Sequence, residues 1–267
     1  MKRRTFLTAG AAFGLTPVMG MHGLAGSSGQ PAADGRQYFE WIRYQLPLGS
    51  RQGLVANFYR EIAIPALNRA GINNVGVFNV KHGSNDPTLH VIIPHSSLES
   101  IVTVNDQLLN DQNFLQTGER VLKAPMSEMA FVSMEKTIMR AFTQLPAIVV
   151  PTQKKENKAR IFQVRTYESP SLEAAKRKIH MFNEGGEIAI FKKTGLQPIL
   201  FGETIAGDRM PSLVYILAFD DFAGMDKGWA AFRDDPDWKK LSADTFYTET
   251  VSRINDWIWT PTAFSQI

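Results

Sequence analysis

Arg165 and Tyr167 stand two residues apart in Ile161 to Tyr167, a segment rich in β-branched and aromatic residues. In an extended strand that spacing puts Gln163, Arg165 and Tyr167 on one face, with Phe162, Val164 and Thr166 on the other. A guanidinium beside a phenol is a donor set for a carboxylate, phosphate or enolate oxygen. The apolar set is expected to meet covering helices and the polar set to face the interior of the assembly. A charge there needs a partner, and Glu203 of a neighbouring strand is the expected one. The plain reading of that pair is structural. The functional reading makes Arg165 an anion anchor, Tyr167 a proton donor and Glu203 a base. Tyr215 and Trp238 complete the expected ligand contacts.

The histidines are His22, His82, His90, His95 and His180. They show no HxH, HxxxH or HExxH spacing, so no zinc site is expected. His180, at the edge of a helical apolar stripe, reads as a surface residue, with a general base or a haem ligand as the functional alternatives. His90 alternates with Val91 in a strand. There is no cysteine, which excludes a disulfide framework, a thiolate metal site and a cysteine nucleophile. GxSxG, GxGxxG and P-loop patterns are lacking as well. Any chemistry is therefore expected to run without a cofactor, with haem kept open.

These residues belong to a chain that repeats itself at an offset of about 124 residues. Glu61-Ile62-Ala63-Ile64 recurs as Glu187-Ile188-Ala189-Ile190, and Gly71 as Gly195. Leu89 with Val91 to Ile93 recurs as Leu213 with Tyr215 to Leu217, and Asp111 to Phe114 as Asp235 to Trp238. In the second copy a strand precedes a helix opened by Ser171, with Leu172, Ala175, Ile179 and Phe182 on one stripe. Strands follow over 198–204 and 213–219, then a helix capped by Asp220 or Asp221 and a strand over 256–260. The first copy gives strand 39–44 and a helix over Leu54 to Ile62 that breaks near Pro65. Strands 75–80 and 88–93 follow, then a helix with a Ser96/Glu99 capping box. Its last strand is expected near 129–134, with a helix open over 134–142.

Strand–helix–strand–strand–helix–strand is the ferredoxin-like unit. Such a unit leaves one sheet face bare, and the twin sheet is the obvious cover. The fold class is therefore α+β, two tandem ferredoxin-like units packed sheet to sheet as an intramolecular barrel. The expected division is 34–150 for the first unit, 151–158 for a linker and 159–267 for the second.

Residues 1–33 hold Lys2-Arg3-Arg4, a short, weakly apolar, glycine-studded stretch and no acidic residue. They resemble a twin-arginine (Tat) signal peptide and imply export to the periplasm. The chain has 29 basic and 26 acidic residues; without those three cations the two kinds are equal in number. Nucleic acid and anionic membrane surfaces lose their electrostatic warrant. No apolar run is long enough for stable membrane insertion. A small-molecule ligand is the expected partner, and the outer helices leave a homo-oligomer open.

Phe162-Gln163-Val164-Arg165-Thr166-Tyr167, Trp229, Phe232, Asp235-Pro236-Asp237-Trp238-Lys239-Lys240 and Pro261 to Ser265 resemble the NIPSNAP family of α+β-barrel domains. The first copy departs from the pattern, with Ile42 where the arginine would align and neither Pro nor Trp in 111–114. The resemblance implies the barrel, and by analogy of architecture the cofactor-independent monooxygenases, isomerases and lyases. The expected function is binding, and in one reading metal-free transformation, of a small, partly aromatic anion in the barrel. The alternative is a non-catalytic ligand-binding or protein-interaction module.

Overall fold

The computed structural model describes residues 34–83 and 87–267. The twin-arginine segment lies outside them. The first unit holds β1 (Tyr38–Gln45), α1 (Leu54–Phe58), α2 (Ile64–Arg69), β2 (Gly76–His82), β3 (Thr88–His95), α3 (Leu98–Asn110), α4 (Gln112–Thr117), α5 (Glu119–Leu122) and β4 (Ser133–Ala141). A short helix, α6 (Thr152–Lys155), leads to the second unit. That unit holds β5 (Ile161–Glu168), α7 (Leu172–Phe182), α8 (Glu187–Lys193), β6 (Gln197–Ala206), β7 (Ser212–Phe219), α9 (Phe222–Asp234), α10 (Pro236–Ser242) and β8 (Arg253–Pro261).

The eight strands close into an antiparallel barrel in the order β1-β3-β2-β8-β5-β7-β6-β4. Each unit contributes the same internal order, β4-β1-β3-β2 and β8-β5-β7-β6. The seams are β2 on β8 and β4 on β6. Closure leaves no free sheet edge.

The repeated residues do the same work in both copies. Gly71 and Gly195 both adopt φ of +85° where a helix ends, a conformation that favours glycine. Asp111 Oδ1 accepts from the amides of Asn113 and Phe114 to open α4, and Asp235 Oδ1 does the same from Asp237 and Trp238 for α10.

Several expected boundaries move. Pro65 does not break its helix: a π-turn over Tyr59–Ala63 precedes α2, and Pro65 falls in its first turn, where an amide is dispensable. The cap of α3 is Ser97, whose Oγ accepts from Ser100 N, rather than Ser96. The last strand of the first unit is β4, over the stretch that left a helix open, because β1 and β6 pair with it on both sides. Leu172 is exposed, and Lys178 takes a buried place on α7 beside Ala174, Ala175, Met181 and Phe182.

The core has three layers. Phe39, Phe78, Ile92, Met139, Phe162, Val164, Leu200, Ile216 and Trp259 meet inside the barrel. The other face of each half-sheet packs under helices, with Ile42, Tyr44 and Val91 in the first unit and Tyr167, Phe201 and Tyr215 in the second. The expected orientation of β5 is thus inverted: Phe162 and Val164 face the barrel, and Gln163, Arg165 and Tyr167 lie under the helices. Alternation put the right residues together but could not say which face was which, because both are covered.

Candidate functional site

Strand β5 lays Gln163, Arg165 and Tyr167 along the floor of a cleft of about 370 Å³ roofed by helices. Helix α7 contributes Lys178, α8 Glu187, α9 Trp229, Phe232 and Arg233, α10 Trp238, and β8 Asp256. Register explains the floor: Arg165 pairs across with Tyr215 of β7 on one side and Asp256 of β8 on the other.

The guanidinium is held from four directions. Its Nη1 donates to Tyr215 Oη at 3.1 Å, and its Nε lies 3.3 Å from Asp256 Oδ2. Its Cζ is 5.3 Å from the Tyr167 ring centre and 5.4 Å from that of Trp229, within cation–π range. A relay fixes the surround. Trp229 Nε1 donates to Gln163 Oε1 at 2.7 Å, and Gln163 Nε2 donates to Asp256 Oδ2 at 2.7 Å.

Tyr167 and Tyr215 share a hydrogen bond at 3.1 Å between their hydroxyls. Burial raises both phenols, Tyr215 well above its ordinary value. Both are therefore protonated donors at neutral pH. Burial works against the Arg165 charge, but Tyr215, Tyr167 and Asp256 outweigh it and hold the guanidinium protonated. Beyond them, Lys178 Nζ lies 2.9 Å from Glu187 Oε2, with Nζ over the Phe182 ring at 4.5 Å. The cleft thus offers a fixed cation, the neutral Tyr167 hydroxyl with Tyr215 behind it, and aromatic walls from Trp229 and Trp238. Such a set can stabilise a bound or developing negative charge beside an aromatic ring.

Of the residues singled out from sequence, Arg165, Tyr167, Tyr215 and Trp238 gather around this cleft. Glu203 does not. It sits exposed on β6 opposite Arg140, and β7 separates β6 from β5. The partner of Arg165 is Asp256. His180 is also elsewhere, exposed on α7 with Nδ1 2.9 Å from Tyr247 Oη. Lys178, Glu187 and Asp256 were missed. The available signals were a lysine inside an apolar helical stripe and a glutamate directly after Gly185-Gly186.

In the first unit the matching floor has no arginine: Glu40 stands where Gln163 does and pairs with Lys136 of β4. Ile42 occupies the place of Arg165 in the core, while Tyr44 and Tyr59 keep a hydroxyl pair at 3.0 Å.

A haem would need an axial ligand facing a cavity. His180 faces solvent. His90, which lines the barrel cavity, accepts from Trp41 Nε1 at Nδ1 (3.1 Å) and has Nε2 3.3 Å from Thr88 Oγ1. Neither fits the group. Among the described residues, no cluster of three or more His, Asp or Glu side chains is placed to hold a metal ion. No helix among them is long and apolar enough to cross a membrane.

Residues 162–266 match the NIPSNAP family model. No curated protein matches the chain. A monooxygenase-like protein of Fusobacterium nucleatum subsp. nucleatum superposes with a TM-score of 0.53 at 8% identity, covering 85% of this chain and 93% of that one. A NIPSNAP-like domain protein of Burkholderia xenovorans aligns at 22% identity over 40% of this chain and 88% of its own, with a TM-score of 0.35. The first of these extends the barrel architecture over both units; the second falls on one domain's length.

Proposed function

We propose that the chain binds a small, partly aromatic anion in the cleft between the second half-sheet and its helices. The observation that carries this reading is the Arg165 guanidinium, charged, set between the rings of Tyr167 and Trp229 and bonded to a protonated Tyr215. Asp256 neutralises it only in part, across a 3.3 Å contact from a half-exposed carboxylate. A carboxylate or phenolate ligand would complete the charge balance, and Trp229 and Trp238 would flank its ring.

A catalytic reading rests on the Tyr167–Tyr215 pair. With Tyr215 donating to it, a protonated Tyr167 beside the guanidinium can donate to an enolate oxygen, the chemistry of a cofactor-free isomerase, lyase or monooxygenase. The monooxygenase-like barrel from Fusobacterium shares the architecture and supports that reading only as an analogy. The non-catalytic carrier is the same cleft without turnover.

Titration of tryptophan fluorescence with 2-naphthoate and 4-hydroxybenzoate tests the reading. Saturable quenching is expected, weakened about ten- to a hundredfold in Arg165→Met, the range for a lost charge-assisted contact. Equal affinity in both proteins refutes it. Export by a twin-arginine route belongs to the same proposal and rests on Arg3 and Arg4. Changing both to lysine should leave the protein in the cytoplasm, and unimpaired export removes that part.

A further inference from the structure

The barrel encloses a second space, on the other face of β5. One end of its interior is packed solid by Phe39, Phe78, Phe162 and Met139, with Ile148 and the C-terminal Ile267 alongside. The other end holds a cavity of about 320 Å³. Trp41, Thr88, His90, Thr166, Val214 and Trp257 line it.

Its walls carry no unpaired charge. At the rim Arg43 binds Glu135 through two contacts, and Arg209 lies 3.3 Å from Asp208. Deeper in, Ser212 Oγ donates to Thr204 Oγ1 at 3.0 Å. His90 accepts from Trp41 at Nδ1, so its proton is on Nε2, facing Thr88. Burial, reinforced by Arg43, lowers His90 to about 3, so the ring is neutral at physiological pH. An ion would enter this space without a counter-charge, at a large desolvation cost.

Among the described residues that line the cavity, one polar group remains unsatisfied; Trp259 Nε1, deeper in the barrel, is also without a partner. Thr166, 8% exposed, has its Oγ1 buried without a hydrogen-bond partner among the described residues. Such orphan hydroxyls are uncommon in folded proteins. Thr166 is among the side chains that line the cavity. The apolar part of the wall is two indoles and a valine: Trp41 and Trp257 meet edge to face, with ring centres 6.2 Å apart, and Val214 sits directly opposite Thr166 on β7.

We propose that the barrel interior is a second ligand site, independent of the cleft, that takes an uncharged aromatic alcohol of one or two rings. Its ring lies against Trp41 and Trp257, and its hydroxyl bonds Thr166 Oγ1.

The test uses three probes that share one ring system: 2-naphthol, naphthalene and 2-naphthoate. Binding to the full chain is followed by fluorescence and by the shift of the His90 ring proton in NMR. The expected result is saturable binding of 2-naphthol, with the His90 signal moved. Thr166→Val, which removes only the hydroxyl, should weaken 2-naphthol by about five- to tenfold and leave naphthalene unchanged. Arg165→Met should leave 2-naphthol unchanged, which separates this site from the cleft. Absence of 2-naphthol binding down to about millimolar affinity, or equal affinity in Thr166→Val, overturns the proposal. So does loss of 2-naphthol in Arg165→Met, which would place it in the cleft. Failure of 2-naphthoate alone bears on the cleft reading and leaves this one standing.

Discussion

Lys178 and Glu187 form an ion pair of 2.9 Å sealed between β5 and the helices, with side-chain exposures of 7% and 4%. The eight residues between them span the end of α7 and the Gly185-Gly186 turn, and Glu187 opens α8, so the pair fixes the angle at which α8 leaves α7. Lys178→Met should cost about 3–5 kcal/mol, because it strands a buried carboxylate. Adding Glu187→Gln should restore most of that loss. Urea unfolding of the single and double variants checks this; equal stability of the two would remove the coupling.

His90 gives a pH signature. Its folded-state value, about 3, lies below the ordinary 6.5, so the unfolded chain binds the proton more readily. The stability it contributes is present above pH 6.5 and lost as pH falls toward 3. By pH 5 the loss is about 2 kcal/mol. His90→Gln, which can still accept from Trp41, should flatten thermal melts across pH 7 to 5. A slope unchanged by the substitution would contradict a buried neutral ring.

Glu40 acts lower on the scale. Burial alone would raise its carboxyl, but His95 and Lys136 overcome that and hold it below the ordinary 4.5. Its contribution is therefore present above pH 4.5 and lost as pH falls through the folded-state value. Glu40→Gln should be less stable than the wild type at pH 7, with the gap closing below about pH 4.5. A gap independent of pH would mean the pair contributes shape rather than charge.

The second unit alone, residues 159–267, would uncover Phe162, Val164, Ile216 and Trp259 and free the edges β6 and β8. That face should pair with its own copy. Sedimentation should show a dimer, and Val164→Glu should prevent it by placing a charge on the apolar face. A stable monomer of the unaltered fragment would show that the face needs no cover.

The repeat was legible because Gly71 and Gly195, and Asp111 and Asp235, answer to strict local geometry, a left-handed turn and a helix cap. Strand β5 was legible as an alternation but not as an orientation. Single-sheet reasoning sends the charged face away from the helices. Here the helices bring their own polar groups, Lys178, Glu187 and Trp229, down onto Arg165, while the opposite sheet supplies an apolar cover for Phe162 and Val164. Asp256 was hidden for a different reason. It reaches Arg165 through pairing of β8 with β5, a contact between segments ninety residues apart that no local pattern announces.

Joining the two half-barrels in one polypeptide releases them from symmetry. In a barrel made of two identical chains, every substitution appears twice, and an arginine on one floor means an arginine on the other. Here Ile42 and Arg165 hold equivalent positions with unlike side chains. The first floor carries the Glu40–Lys136 pair and no arginine, and the second keeps Arg165. A gain of chemistry on one side thus carries no matching loss of core on the other, and each half can drift toward a task of its own.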